Sequence, residues 1–155
     1  MPNWCENRVT ASAGNEEEEK QLAELKEIFS KDNPFNVIYP QPDFSKIKCP
    51  DRNELPVEKT YKNPNGEYVH TALEFSDGRQ DDRWYNWRVA NWGTKWDISE
   101  KDIEWSDDHE DYVQFAFDTA WSPPEGIVSA LREKFPELSI SWFYDEPAME
   151  FAGYL

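Results

Sequence analysis

Long apolar runs are missing from this sequence. The longest, such as Trp142 to Tyr144, are a few residues, far short of the roughly 20 that a membrane-spanning helix needs. No membrane association is expected. The N-terminal MPNWCENR lacks the basic and then apolar pattern of a secretory signal, so the expected compartment is the cytoplasm. Cysteine is scarce: Cys5 and Cys49 stand apart, outside any C-x-x-C pair, which argues against zinc and redox motifs and for two reduced, partly buried thiols. His70 and His109 show no H-x-x-x-H or H-E-x-x-H spacing. The expectation is therefore no metal and no cofactor. The G-x-S-x-G, Walker and dinucleotide fingerprints are absent too; no catalytic residue is assigned, and an enzyme is not the expected reading.

Positive charge is the other shortage. Sixteen Lys and Arg face 32 Asp and Glu, a net charge of −16 over 155 residues. The excess is concentrated: Asp97 to Asp118 holds nine acids and one lysine, Asn15 to Asp32 seven acids and three lysines, and Glu137 to Glu150 four acids and no base. Nucleic-acid binding depends on neutralising phosphates, so direct nucleic-acid contact is disfavoured and a protein partner with a basic surface is favoured. Oligomeric state is not encoded in these features.

Aromatic residues, in contrast, make up 15% of the chain, with eight tryptophans. They give a large burial per apolar residue. The length suits one domain over residues 1–155, with a real core. Val9, Ala11 and Ala13 alternate with polar residues as a half-buried strand does. Asn15 with Glu18 reads as a capping box opening a helix along Leu22, Leu25, Ile28 and Phe29, which Asn33-Pro34 ends. Residues 34–64 carry six of eleven prolines and no sustained period, and read as a long excursion. A strand over Glu67 to Phe75 follows, and then a short helix capped by Asp81 or Asp82 and stopped at Gly93. Ile98, Ile103 and Trp105 suggest a strand or hairpin before the acidic turn Ser106 to Asp111, and Val113, Phe115 and Phe117 mark the clearest strand. Ser122-Pro123-Pro124-Glu125 predicts a second main helix from Pro123, with Ser122 as its cap and Ile127, Val128, Leu131 and Phe135 as its stripe. The Leu138, Ile140, Trp142 alternation and a terminal hairpin strand from Ala148 to Leu155 complete the order. This order predicts an α+β ferredoxin-like sandwich, an antiparallel sheet with two main helices on one face plus insertions.

Three segments carry a resemblance. PNWCENRVT, NWGTKWD and TAWSPP, in that order, resemble the YubB-type ferredoxin-like proteins of bacteriophages and plasmids. The resemblance implies the ferredoxin-like fold and a phage or plasmid origin, and it supplies no reaction. "Ferredoxin-like" describes topology here, since two cysteines could not hold a four-thiolate cluster.

Trp92, Thr94, Lys95, Trp96 and Asp97 are the candidate ligand or partner site: aromatic faces with one cation and one anion suit a sugar, a peptide or a cationic ligand. The competing reading packs Trp92 and Trp96 beneath the helix stop. A shared cluster of Trp4, Trp92, Trp96 and Trp121 is expected, with Gly93, Ser122 and Pro123 in structural roles. Asp107, Asp108, Glu110 and Asp111 form an expected acidic surface, which lacks the glycine of a calcium loop and reads as a solvated turn. The leading expectation is a small acidic phage or plasmid accessory protein, a non-enzymatic protein-binding module that occupies a basic or nucleic-acid-binding host protein. The alternative is a small-molecule or carbohydrate-binding enzyme with a tryptophan-lined pocket.

Overall fold

A computed structural model describes residues 2–155. Backbone contacts divide the chain into two compact units, one formed by residues 1–40 and 88–155 and the other by 41–87.

The first unit is built on β1 (Trp4–Ser12), whose inward side chains Cys5, Asn7, Val9 and Ala11 are fully buried while the residues between them stay accessible. That alternation is the two-residue period of a strand with one covered face. The cover is α1 (Glu16–Phe29) and α4 (Glu125–Lys134), which bury Leu22, Leu25, Ile28 and Phe29, and Ile127, Val128 and Leu131. Asn15 accepts from the Glu18 backbone N–H as predicted, while the Glu18 carboxylate accepts from the Asn15 side-chain amide and from the backbone N–H of Gly14, one residue before the cap, in place of the cap's own N–H. An ion pair from Lys134 to Glu24 at 3.5 Å and a hydrogen bond from Gln21 to Glu137, just after α4, tie the two helices together.

The remaining strands are β4 (Glu104–Asp108), β5 (Tyr112–Ala120), β6 (Ser139–Glu146) and β7 (Phe151–Tyr154), in the spatial order β4-β5-β1-β6-β7 with every neighbour antiparallel. The units β1-α1-β4 and β5-α4-β6 are two split β-α-β crossovers, each leaving room for a strand of the other. This is the ferredoxin-like sheet with β7 added at one edge. Phe29, Phe115, Phe117 and Trp142 fill the space between sheet and helices, each such side chain contributing about 1.5–3 kcal/mol of burial. Buried Asn7 receives the Trp142 indole N–H at 3.0 Å and donates to Thr119 Oγ1 at 2.9 Å, so its own polar groups are matched, whereas Oε1 of the buried Glu146 has no hydrogen-bond partner.

The helix after TAWSPP departs from expectation. It begins at Glu125, two residues later than the serine–proline signal predicts, and Pro124 occupies the cap position without a side-chain bond. Ser122 Oγ donates instead to the Gly93 carbonyl. A short helix, α2 (Pro34–Ile38), also forms where the excursion was expected to start.

In the second unit a 3-10 turn at Phe44–Lys46 is followed by β2 (Val57–Lys62) paired antiparallel with β3 (Tyr68–Glu74). β3 matches the predicted strand. β2 lay hidden in the excursion because each of its residues is exposed, which leaves no alternation to read. Arg83 pairs with buried Asp81 at 2.7 Å and reaches the carbonyls of Phe44 and Ile47, while Arg52 pairs with Asp77 and lies over the Phe75 ring. The helix α3 (Arg83–Asn91) starts in this unit and ends in the first at Gly93, whose φ of 90° is the left-handed stop expected of it.

Candidate functional site

Three sequence segments converge at one end of β1 and β5. Gly93 packs so closely on the turn before α4 that a β-carbon there would lie 2.9 Å from the Glu125 nitrogen. The Gly126 N–H donates to the Trp92 carbonyl, Thr94 Oγ1 to the Ala120 carbonyl at 2.9 Å, and the Trp121 N–H to the Asn3 carbonyl. NWGTKWD and TAWSPP are thus clasped to each other, and the backbone before β1 is tied to the second of them.

The expected four-tryptophan cluster divides. Trp92 is fully buried: its indole N–H donates to the Tyr39 carbonyl, its ring meets Phe35 edge-on, and the Arg88 guanidinium covers it at 4.7 Å. It belongs to the core and offers no face to a ligand. Trp4, Trp96 and Trp121 are 46%, 39% and 51% exposed. The rings of Trp4 and Trp96 lie 6.1 Å apart at 43°, and Lys95 Nζ sits 4.2 Å above Trp96 and 6.0 Å from the ring of Trp121.

Asp97 also serves the fold. Its carboxylate accepts the backbone N–H groups of Phe35 at 3.0 Å, Asn36 at 2.9 Å and Ile98 at 2.9 Å, closing the start of α2. Burial raises its pKa above the ordinary carboxylate range, against the lowering effect of these three bonds and of Arg88. Thr94 is buried as well. Of the five predicted ligand residues, Lys95 and Trp96 therefore present groups outward, and Lys95 and Asp97 do not act as a matched acid and base under the indoles.

A cleft of about 580 Å³ opens beside them, walled by Trp4, Trp96 and Ile98 and rimmed by Lys101, Asp102, Glu104 and Asp118. Asp118 lies directly across from Glu6 in the sheet, and partial desolvation with the charges of Glu6 and Glu104 raises its pKa. Among the described residues, no ion pair engages Asp102, Glu104 or Asp118. These three acids were not singled out from the sequence. β alternation does put Asp118 opposite Phe117, on the accessible face; what sequence could not supply is that β4 and the Trp96 segment flank it.

The predicted acidic turn lies elsewhere and is shorter than expected, because Ser106, Asp107 and Asp108 belong to β4, which pairs with β5. Asp107, Asp108, Glu110 and Asp111 are all exposed, and Asp108 pairs with Lys26 of α1 at 2.8 Å. Among the described residues there is no group of His, Cys, Asp or Glu arranged to hold a metal ion. Cys5 is buried with its thiol pushed up to about 11, chiefly by burial and then by the Glu146 charge, and stays protonated at neutral pH. No helix among the described residues is long and apolar enough to cross a membrane.

The strand order and helical layer define a ferredoxin-like α+β domain. Comparison with known families agrees: residues 92–155 match the family described as the ferredoxin-like domain in Api92-like protein. The crystal structure of a protein api92 from Yersinia pseudotuberculosis is similar over 99% of this chain and 93% of that one, with a TM-score of 0.54 and 12% sequence identity. At that identity the likeness is one of fold. A comparison with curated proteins finds no match.

Proposed function

We propose that the chain is a small acidic accessory protein of a phage or plasmid that works in the host cytoplasm by binding a basic protein, without catalysing a reaction. The observation that carries this reading is the cleft: exposed indoles of Trp4 and Trp96 stand beside three carboxylates with no ion pair among the described residues. Aromatic anchors ringed by charge are what a protein contact uses, the charge steering encounter and the aromatics holding it. The net charge of −16 favours a basic partner, and host nucleic-acid-binding proteins are the class richest in such surface. The phage or plasmid setting rests on the resemblance of PNWCENRVT, NWGTKWD and TAWSPP to the YubB-type proteins.

The cleft volume also falls in the range of small-ligand sites, roughly 300–1,000 Å³, which is what favours the alternative of a sugar- or small-molecule-binding enzyme. In that reading Asp97, which lines the cleft, is engaged by three backbone N–H groups, and the acid would have to come from Asp102, Glu104 or Asp118. The test is capture of bacterial proteins on the immobilised chain at low and high salt, followed by competition with duplex DNA. A basic protein released by salt and displaced by DNA is the expected result. Absence of any salt-sensitive partner would sink the proposal.

A further inference from the structure

We propose that the cleft between Trp4, Trp96 and the ends of β4 and β5 is an arginine-side-chain pocket, through which the basic partner is gripped; this rests on the protein-binding reading above. The walls and rim supply the two halves of guanidinium recognition. Trp4 and Trp96 are exposed, tilted at 43°, and 6.1 Å apart between ring centres, so a flat cation entering the cleft meets an indole face. Asp102, Glu104 and Asp118 supply carboxylate oxygens with no ion pair among the described residues, against a single lining base, Lys101.

The charge of the site is unbalanced even though Arg8 holds Glu6 at 2.7 Å, because Asp102, Glu104 and Asp118 have no ion pair among the described residues. Glu6 faces Asp118 across the β1–β5 register and Glu104 lies one strand away, opposite Ala116. Like charges directly opposite one another in a sheet are destabilising, and a cation in the cleft removes that repulsion. The chain already shows that these rings take a cation: Lys95 Nζ lies 4.2 Å over Trp96, while no cation covers Trp4 among the described residues. Arginine is preferred to lysine because its planar fork can stack on an indole and bridge two carboxylates at once, which an ammonium cannot.

The experiment uses the full chain and the peptide acetyl-Gly-Gly-Arg-Gly-Gly-amide, with its lysine and citrulline counterparts, read by tryptophan fluorescence and calorimetry. The arginine peptide should bind more tightly than the lysine peptide, and the citrulline peptide, with the same shape and no charge, at least about tenfold more weakly. The double variant Glu104→Gln with Asp118→Asn should lose about as much, with an unchanged circular-dichroism spectrum. The double variant Glu110→Gln with Asp111→Asn removes equal charge outside the cleft and should bind as the unaltered chain does. Equal binding of arginine and citrulline peptides, equal loss in both double variants, or no binding at all would overturn the pocket. Capture of the basic partner that persists in the cleft variant also overturns it, and leaves the protein-binding reading standing. Arginine-peptide binding lost only in the cleft variant supports it, even if no salt-sensitive partner is captured and the broader reading fails.

Discussion

A β-carbon added at Gly126 would lie 1.7 Å from the Asn91 carbonyl oxygen and 2.7 Å from its carbon. Alanine ordinarily stabilises a helical position over glycine by about 1 kcal/mol, but here the obstacle is backbone and cannot swing aside. Gly126→Ala is expected to destabilise the fold by about 2–3 kcal/mol, measured by urea unfolding, and to loosen the clasp between Trp92 and α4. Asp118 gives the opposite sign. Its carboxyl is held above the ordinary range by partial desolvation, Glu6 and Glu104, so between its ordinary and raised pKa the folded chain keeps a proton that the unfolded chain has released. This contribution favours folding below the ordinary value and is lost as pH rises through the raised one. Asp118→Asn should therefore raise the melting temperature at neutral pH, with the gain vanishing in acid below the ordinary carboxylate range. A variant that is more stable and binds arginine less well would be the usual exchange of function against stability. Asp97→Ala should cost roughly 2–3 kcal/mol, because it strands three backbone donors at once.

At the scale of elements, the signals that proved legible were those whose physics is local. Asn15 and Glu18 cap α1 as their spacing requires, and Asn15→Ala is expected to cost about 1 kcal/mol by thermal melting. Gly93 ends α3, and the alternation of Val113, Phe115 and Phe117 marks β5. Ser122 misled because a hydroxyl can serve any nearby acceptor, and the Gly93 carbonyl, 29 positions away, took it. β2 gave no signal, since all six of its residues are exposed. The candidate site was half legible for the same reason. Trp96 and Lys95 stood out by residue type, but Glu104 and Asp118 join them through strand register, which is set by the whole sheet.

For the molecule as a whole, the net charge of −16 sets two salt effects of opposite sense. Screening self-repulsion should raise the melting temperature as sodium chloride is added, while the same screening weakens capture of a basic partner. Parallel rises in both would contradict the electrostatic account. The β4 strand adds a further consequence. It is an edge of the sheet, exposed at every residue, and four of its surroundings' acids, Glu104, Asp107, Asp108 and Glu110, line or follow it. A bare edge is a template on which another chain can polymerise. A second copy arriving there brings its own anionic edge and is repelled, so the charge proposed to recruit a foreign partner also opposes growth into fibrils.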